Sequence, residues 1–187
     1  MSLLLIIVIV IGIVLLYIIA AYNGLISLKT RTEEAWSDIT VQLKRRYDLI
    51  PNLVSTVRGY AKHEKKVFEE VTKARTEAIS AKGMDSKAKA ENLLTDALKS
   101  IFAVAENYPN LKANENFLQL QGELSETENK VEASRRFYNA NVRDYNIRIK
   151  SFPTNIIANM FNFKDKGLFE VGESEKEEVE KAPKAEV

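Results

Sequence analysis

The sequence predicts an all-α protein: an N-terminal transmembrane helix continuing into an elongated antiparallel bundle of about four helices, closed by a disordered acidic C-terminal tail. Three observations predict this. Leu3 to Ala21 is an uncharged run of 19 residues. Between residues 22 and 150, apolar side chains recur at spacings of three and four, with no alternating strand pattern and no hairpin dipeptide. Residues 165–187 hold eight acidic and four basic side chains together with Pro183, too little apolar surface to offset the entropy of folding. The expected divisions are 1–24 for the anchor, 25–163 for the bundle and 164–187 for the tail.

The anchor runs from Leu3 through Ile11 to Ala21. As a helix it covers ~28 Å, about the hydrocarbon thickness of a bilayer. Its Ile and Val residues are no obstacle, because lipid forces every backbone group to bond internally. Tyr17 and Tyr22 lie near its end, where amphipathic rings favour the interface. A cleaved signal peptide needs a basic leader, a shorter apolar run and a small-residue cleavage site; no Lys or Arg precedes this run. Basic residues follow on the C-terminal side, at Lys29, Arg31, Lys44, Arg45 and Arg46. The positive-inside rule therefore places the bundle in the cytoplasm and the N-terminus outside.

Along the bundle, Leu25, Leu28, Ala35, Ile39 and Leu43 mark a face that continues from the anchor. A second stripe follows at Ile50, Leu53, Val57, Tyr60, Val67, Val71 and Ala78. Pro51 lies between the two patterns, so a break or kink is expected near Asp48 to Pro51, with Asp48 as the cap. Gly83 closes the second helix and Ser86 opens a third. The third carries Ala90, Leu93, Leu94, Ala97, Ile101, Phe102 and Val104, and Pro109 ends it. The longest helix of the bundle spans roughly 114–151. Its seam is Phe117, Leu120, Leu124, Thr127, Val131, Ser134, Tyr138, Val142, Tyr145 and Ile149, a near-heptad suited to shallow helix packing. Pro153 stops it, and the short apolar piece 156–163 folds back over an end of the bundle.

Composition removes much chemistry. With no cysteine and one histidine, thiolate zinc sites, iron–sulfur clusters, cysteine nucleophiles and multi-histidine metal sites are excluded. A net charge of +1 is not that of a dedicated nucleic-acid binder. His63-Glu64 begins like an HExxH zinc helix, but Lys66 and Val67 follow and no second His exists. The adjacent pairs Glu33-Glu34 and Glu69-Glu70 point to different helix faces and form no acid–base couple. No catalytic, cofactor or metal residue is assigned.

Two candidate contact sets remain. Lys44, Arg45, Arg46, Arg58 and Lys62 suit anionic lipid or an acidic partner helix; interleaved acids equally suit a bundle face laced with ion pairs. Asn107, Tyr108, Pro109, Asn114 and Asn116 form a polar loop that suits a partner or simply caps two helix ends.

Several segments resemble the bacterial LemA family. They are 35–39 (Ala-Trp-Ser-Asp-Ile), 41–46, 48–54, Gly59-Tyr60-Ala61 with His63-Glu64, and 111–114 with Asn116-Phe117. Leu118 to Gln121, Glu123-Leu124, Glu126 to Asn129, Phe137-Tyr138-Asn139, Tyr145-Asn146 and Phe152-Pro153 complete the set. The resemblance covers about residues 1–170. It implies a single-pass membrane protein with a helical bundle and no established enzymatic activity; some members are associated with membrane metalloproteases. The expected function is a membrane-anchored scaffold at the bacterial inner membrane that self-assembles, recruits partners and shapes or stabilises the bilayer. The alternative is an adaptor or regulatory subunit of a membrane protease or sensor. Expected partners are the lipid bilayer, further copies of the chain, and a membrane metalloprotease or other membrane protein.

Overall fold

The computed structural model describes residues 3–170. Its elements are α1 (Leu3–Tyr60), α2 (Lys65–Ser80), α3 (Met84–Glu106), α4 (Pro109–Lys112), α5 (Glu115–Lys150) and α6 (Thr154–Met160), with no strand among the described residues. The all-α class and the long apolar N-terminal helix are as the sequence predicts. The chain divides into two compact units. Among the described residues, one comprises 3–39 and 134–168 and the other 40–133 and 169–170. α1 and α5 each contribute to both.

In the first unit, α1 and α5 pack antiparallel. The Trp36 ring lies 5.5 Å from that of Tyr138. Further along, Leu25 is buried with Tyr145, Ile149 and Ala158, and Leu28 and Phe163 pack around them. Burying a side chain such as Leu25 contributes about 1.5–3 kcal/mol. After α5 the chain folds back as α6, the apolar piece expected near Ile156.

Residues 164–170, expected to begin the disordered tail, are instead held in place. Tyr145 donates its O–H to Lys164 O at 3.0 Å, and Tyr138 donates to Gly167 O at 3.0 Å. The Asn146 side chain donates to Lys166 O and accepts from Lys166 N. The Lys166 ammonium reaches Thr32 Oγ1 and Glu33, and Phe169 is buried. Lys164 and Lys166 balance Asp165 and Glu170, so the acidity of the tail lies beyond these residues, and donors on α5 take the carbonyls of Lys164, Lys166 and Gly167. The rest of the expected tail, 171–187, lies outside the described residues.

The second unit is an up-down-up-down arrangement of the C-terminal part of α1, then α2, α3 and the N-terminal part of α5. α2 and α3 are joined by a tight link whose Gly83 adopts φ +84°, a conformation glycine takes without steric cost. α3 begins at Met84 rather than Ser86, and Pro109 opens the short α4 instead of closing α3. At the start of α5, Asn114 Oδ1 accepts the Phe117 N–H at 3.0 Å, an N-cap bond.

Of the break or kink expected at Asp48 to Pro51, the break is absent and Asp48 caps no helix. α1 runs through Pro51 and ends at Tyr60. A proline has no N–H to give the carbonyl four residues earlier, here that of Tyr47. Arg75 of α2 supplies the missing donor: its Nε donates to Tyr47 O at 2.8 Å. The helix thus tolerates the proline because its neighbour satisfies the orphaned carbonyl. Arg75→Met is expected to cost about 1.5–3 kcal/mol, as for loss of a hydrogen bond from a charged donor. In a Pro51→Ala background the cost should shrink, because the alanine N–H then serves the same carbonyl. Urea denaturation of wild type, the two single variants and the double variant measures this coupling; equal Arg75→Met losses in both backgrounds would refute it.

Candidate functional site

The first functional feature is the start of α1. Large side chains from Leu3 to Leu16 and Ile19 are exposed, forming an apolar surface free of charge. This is a candidate membrane span by length and composition. Leu3 and Ile11 are exposed on it, whereas Ala21 at its end is buried. From Tyr17 onward the helix gains protein neighbours: Tyr17 Oη lies 3.3 Å from Thr154 Oγ1, and the Tyr22 ring lies 4.7 Å from Phe161 and 5.9 Å from Phe163.

The second feature is a buried ionic cluster in the four-helix unit. Arg46 belongs to a basic triplet, but only its neighbours Lys44 and Arg45 face outward. Its 3.5-fold spacing from Ile39, Leu43, Ile50 and Leu53 turns it into the apolar seam, where its side chain is 4% exposed. There its guanidinium meets Glu91 at 3.3 Å, Thr95 Oγ1 at 2.7 Å and Glu128 at 2.9 Å. Tyr47 donates its O–H to the other oxygen of Glu91. The Lys87 ammonium lies 5.2 Å over the Tyr47 ring and donates to Ala78 O. Arg46 is therefore not a surface contact for lipid or a partner. Sequence reading also missed Glu91, which lies on the α3 seam with Leu94, Leu98, Ile101 and Ala105, while the expected seam residue Leu93 is exposed.

Burial dominates the protonation equilibria here. It pushes the Glu91 carboxyl above the usual range, against the Tyr47 hydrogen bond and the charges of Arg46 and Lys87. Burial, the hydrogen bond to Glu91 and its charge push the Tyr47 phenol well above its ordinary range. Burial lowers the Lys87 ammonium, with Glu91 opposing. Since the folded state binds the Glu91 proton more tightly than the unfolded chain, its stabilising contribution is fully present below the unfolded carboxylate range. It is lost as pH rises through the folded value, at ~1.4 kcal/mol per unit of displacement. Accordingly, wild type should lose stability relative to Glu91→Gln as pH rises above about 4. Melting temperatures of both proteins across the acid-to-neutral range test this, and parallel curves would disprove it.

A cavity of about 260 Å³ adjoins the cluster, lined by Arg46, Thr95, Phe102, Gln121, Leu124 and Asn129 among others. It lies just below the ~300–1,000 Å³ of pockets that enclose drug-sized ligands. Among the described residues, no three His, Asp or Glu side chains converge as a metal site. His63 is exposed in the turn between α1 and α2, not on a helix face.

The remaining predicted residues scatter. Arg58 lies 5.4 Å over the Phe68 ring, and Lys62 is exposed in the turn after α1. In the polar loop, Tyr108 donates to Glu64 at 3.4 Å and Asn114 donates to Tyr60 Oη at 3.1 Å. Asn107, Pro109 and Asn116 are exposed. The loop thus joins the α1–α2 turn to the start of α5.

These features define a helical-bundle protein with a candidate membrane span and no assembled catalytic set among the described residues. The chain belongs to the LemA family, whose profile matches residues 35–184. It is 27% identical over 174 residues to Protein LemA of Metamycoplasma hominis, covering 91% of this chain and 78% of that one. It is also 26% identical over 175 residues to the magnetosome proteins MamQ 1 and MamQ 2 of Paramagnetospirillum magneticum, covering 80% of this chain. The matched region is 64% of each magnetosome protein, less than two thirds of its length.

Proposed function

We propose that this protein is a membrane-anchored helical scaffold at the bacterial inner membrane, which self-assembles and recruits partners there. The reading is of an interaction protein rather than an enzyme. One observation carries it: α1 passes without a break from an exposed, uncharged apolar surface into a bundle seam, so the anchor is continuous with a helix of the bundle. The basic residues after the apolar run, Lys29, Arg31, Lys44 and Arg45, favour a cytoplasmic bundle with the N-terminus outside. Exposed side faces of the anchor suit neighbours of the same kind.

Crosslinking of the full-length protein in native membranes tests the scaffold. The expected result is a ladder of homo-oligomers that resists alkaline extraction. Monomer alone in the membrane pellet would refute self-assembly. Recovery from the aqueous fraction would refute the anchor. A single membrane enzyme captured at fixed ratio would instead favour the adaptor reading.

A further inference from the structure

The segment between α5 and the 164–170 strap is uncharged from Ser151 to Phe163, between Lys150 and Lys164. α6 within it buries one side and exposes large apolar side chains on the other. Ile157 and Ala158 are buried with Thr154, and Ala158 packs with Leu25, Tyr145 and Ile149. On the opposite face, Ile156 and Met160 are 57% and 61% exposed, flanked by Phe152 at 81% and Phe161 at 48%. Asn159 and Asn162 are exposed beside them, but the large side chains left without protein cover here are apolar and form a contiguous patch of the kind that marks an interaction surface.

Its depth is set by its neighbours. Thr154 lies against Tyr17, four residues before the apolar run ends, and Phe161 and Phe163 surround Tyr22. At 1.5 Å per residue, Tyr17 is only ~6 Å inside that end. α6 therefore starts beside the last turn of the apolar run, and Tyr22 there packs with Phe161 and Phe163, an aromatic group suited to the headgroup boundary.

We propose that α6 is a second membrane contact: its Phe152, Ile156 and Met160 face enters the interfacial layer of the bilayer beside the anchor helix. The proposal rests on the membrane anchoring proposed above. Lipid is the occupant because α6 starts beside the last turn of the span and the face carries no charge of its own; the nearest charges are Lys150, paired with Asp165, and Lys164 at its two ends. Amphipathic elements of this kind bury their apolar side to the depth of the acyl boundary.

The absence of native cysteine permits single spin labels on the full-length protein in liposomes of mixed zwitterionic and anionic phospholipid. Ile156→Cys and Met160→Cys report on α6, Ile11→Cys on the anchor, and Val41→Cys on an exposed apolar position of α1. Collision rates with oxygen, which concentrates in lipid, and with a water-soluble nickel chelate are compared. Oxygen should exceed nickel at 11, 156 and 160, and the ratio should reverse at 41. Oxygen excess at 11 with nickel excess at 156 and 160 would overturn the second contact and leave the anchor standing. Nickel excess at 11 would overturn the anchor, and with it this proposal. Shielding of 156 and 160 from both reagents, with spin–spin broadening, would overturn the proposal in favour of a second copy on that face.

Discussion

Arg46→Met is expected to destabilise the four-helix unit by about 3–5 kcal/mol, the range for removing one partner of a buried ion pair. The size follows from what stays behind. The Glu91 side chain is only 8% exposed. Without Arg46 it keeps the Tyr47 hydroxyl and the more distant Lys87 ammonium, while Thr95 loses its guanidinium donor. A carboxylate stranded this way binds a proton, so the loss should be smaller at acid pH than at neutral pH. Arg46→Lys should fall between wild type and Arg46→Met, because one ammonium cannot reproduce a fork that serves Glu91, Thr95 and Glu128 together.

The double variant Arg46→Met/Glu91→Leu separates charge stranding from packing. Removing both charges leaves neither uncompensated, so it should be more stable than Arg46→Met alone. The coupling would exceed the ~0.3–0.5 kcal/mol scatter of independent sites. By contrast, Lys66→Ala should stay within about 0.5 kcal/mol, because its i,i+4 partner Glu70 is an exposed surface charge. Denaturant midpoints followed by circular dichroism give all of these values. An Arg46→Met protein within 1 kcal/mol of wild type would show that the cluster is dispensable.

Hydrophobic periodicity made most of the helical framework legible. Of the ten residues expected on the α5 seam, all except Leu120 and Ser134 are buried, and those two are half-buried. The α1 face through Leu25, Ala35, Ile39 and Leu43 is likewise inward. Local chemistry misled where a distant residue intervened. Pro51 is a strong breaker on its own, and nothing nearby announces that Arg75, on the next helix, will take the stranded carbonyl. The true break after Tyr60 follows Gly59, a weak helix former, in a stretch without proline. Arg46 and Glu91 show the limit of binary patterning. Both occupy seam positions by spacing, but a charged side chain there looks like an error of register unless its partner on another helix is known. The apolar fold-back near Ile156 was legible, while its place beside Tyr17 and Tyr22 depends on tertiary contacts.

Tyr145→Ala should be the most damaging single truncation in the first unit, at about 3–5 kcal/mol by analogy with other large aromatic truncations. Tyr145 is 2% exposed and packs with Leu25, Ile149 and Ala158, so its ring bridges α1, α5 and α6. Its hydroxyl holds Lys164 O, and its face lies 5.8 Å from the Lys166 ammonium. Removal therefore opens a cavity and releases the strap that keeps 164–167 against α5. Tyr145→Phe keeps the ring and should lose only about 0.5–1.5 kcal/mol, the worth of one hydrogen bond. The two variants also differ in dynamics. In Tyr145→Ala the amides of both α6 and 164–167 should exchange faster with solvent, whereas in Tyr145→Phe the increase should be confined to the strap. Hydrogen exchange of the full-length protein in lipid measures both regions at once. Unchanged α6 protection in Tyr145→Ala would mean that Tyr22, Leu25 and Ile149 hold the fold-back without it, and the role of this ring as the keystone of the unit would be wrong.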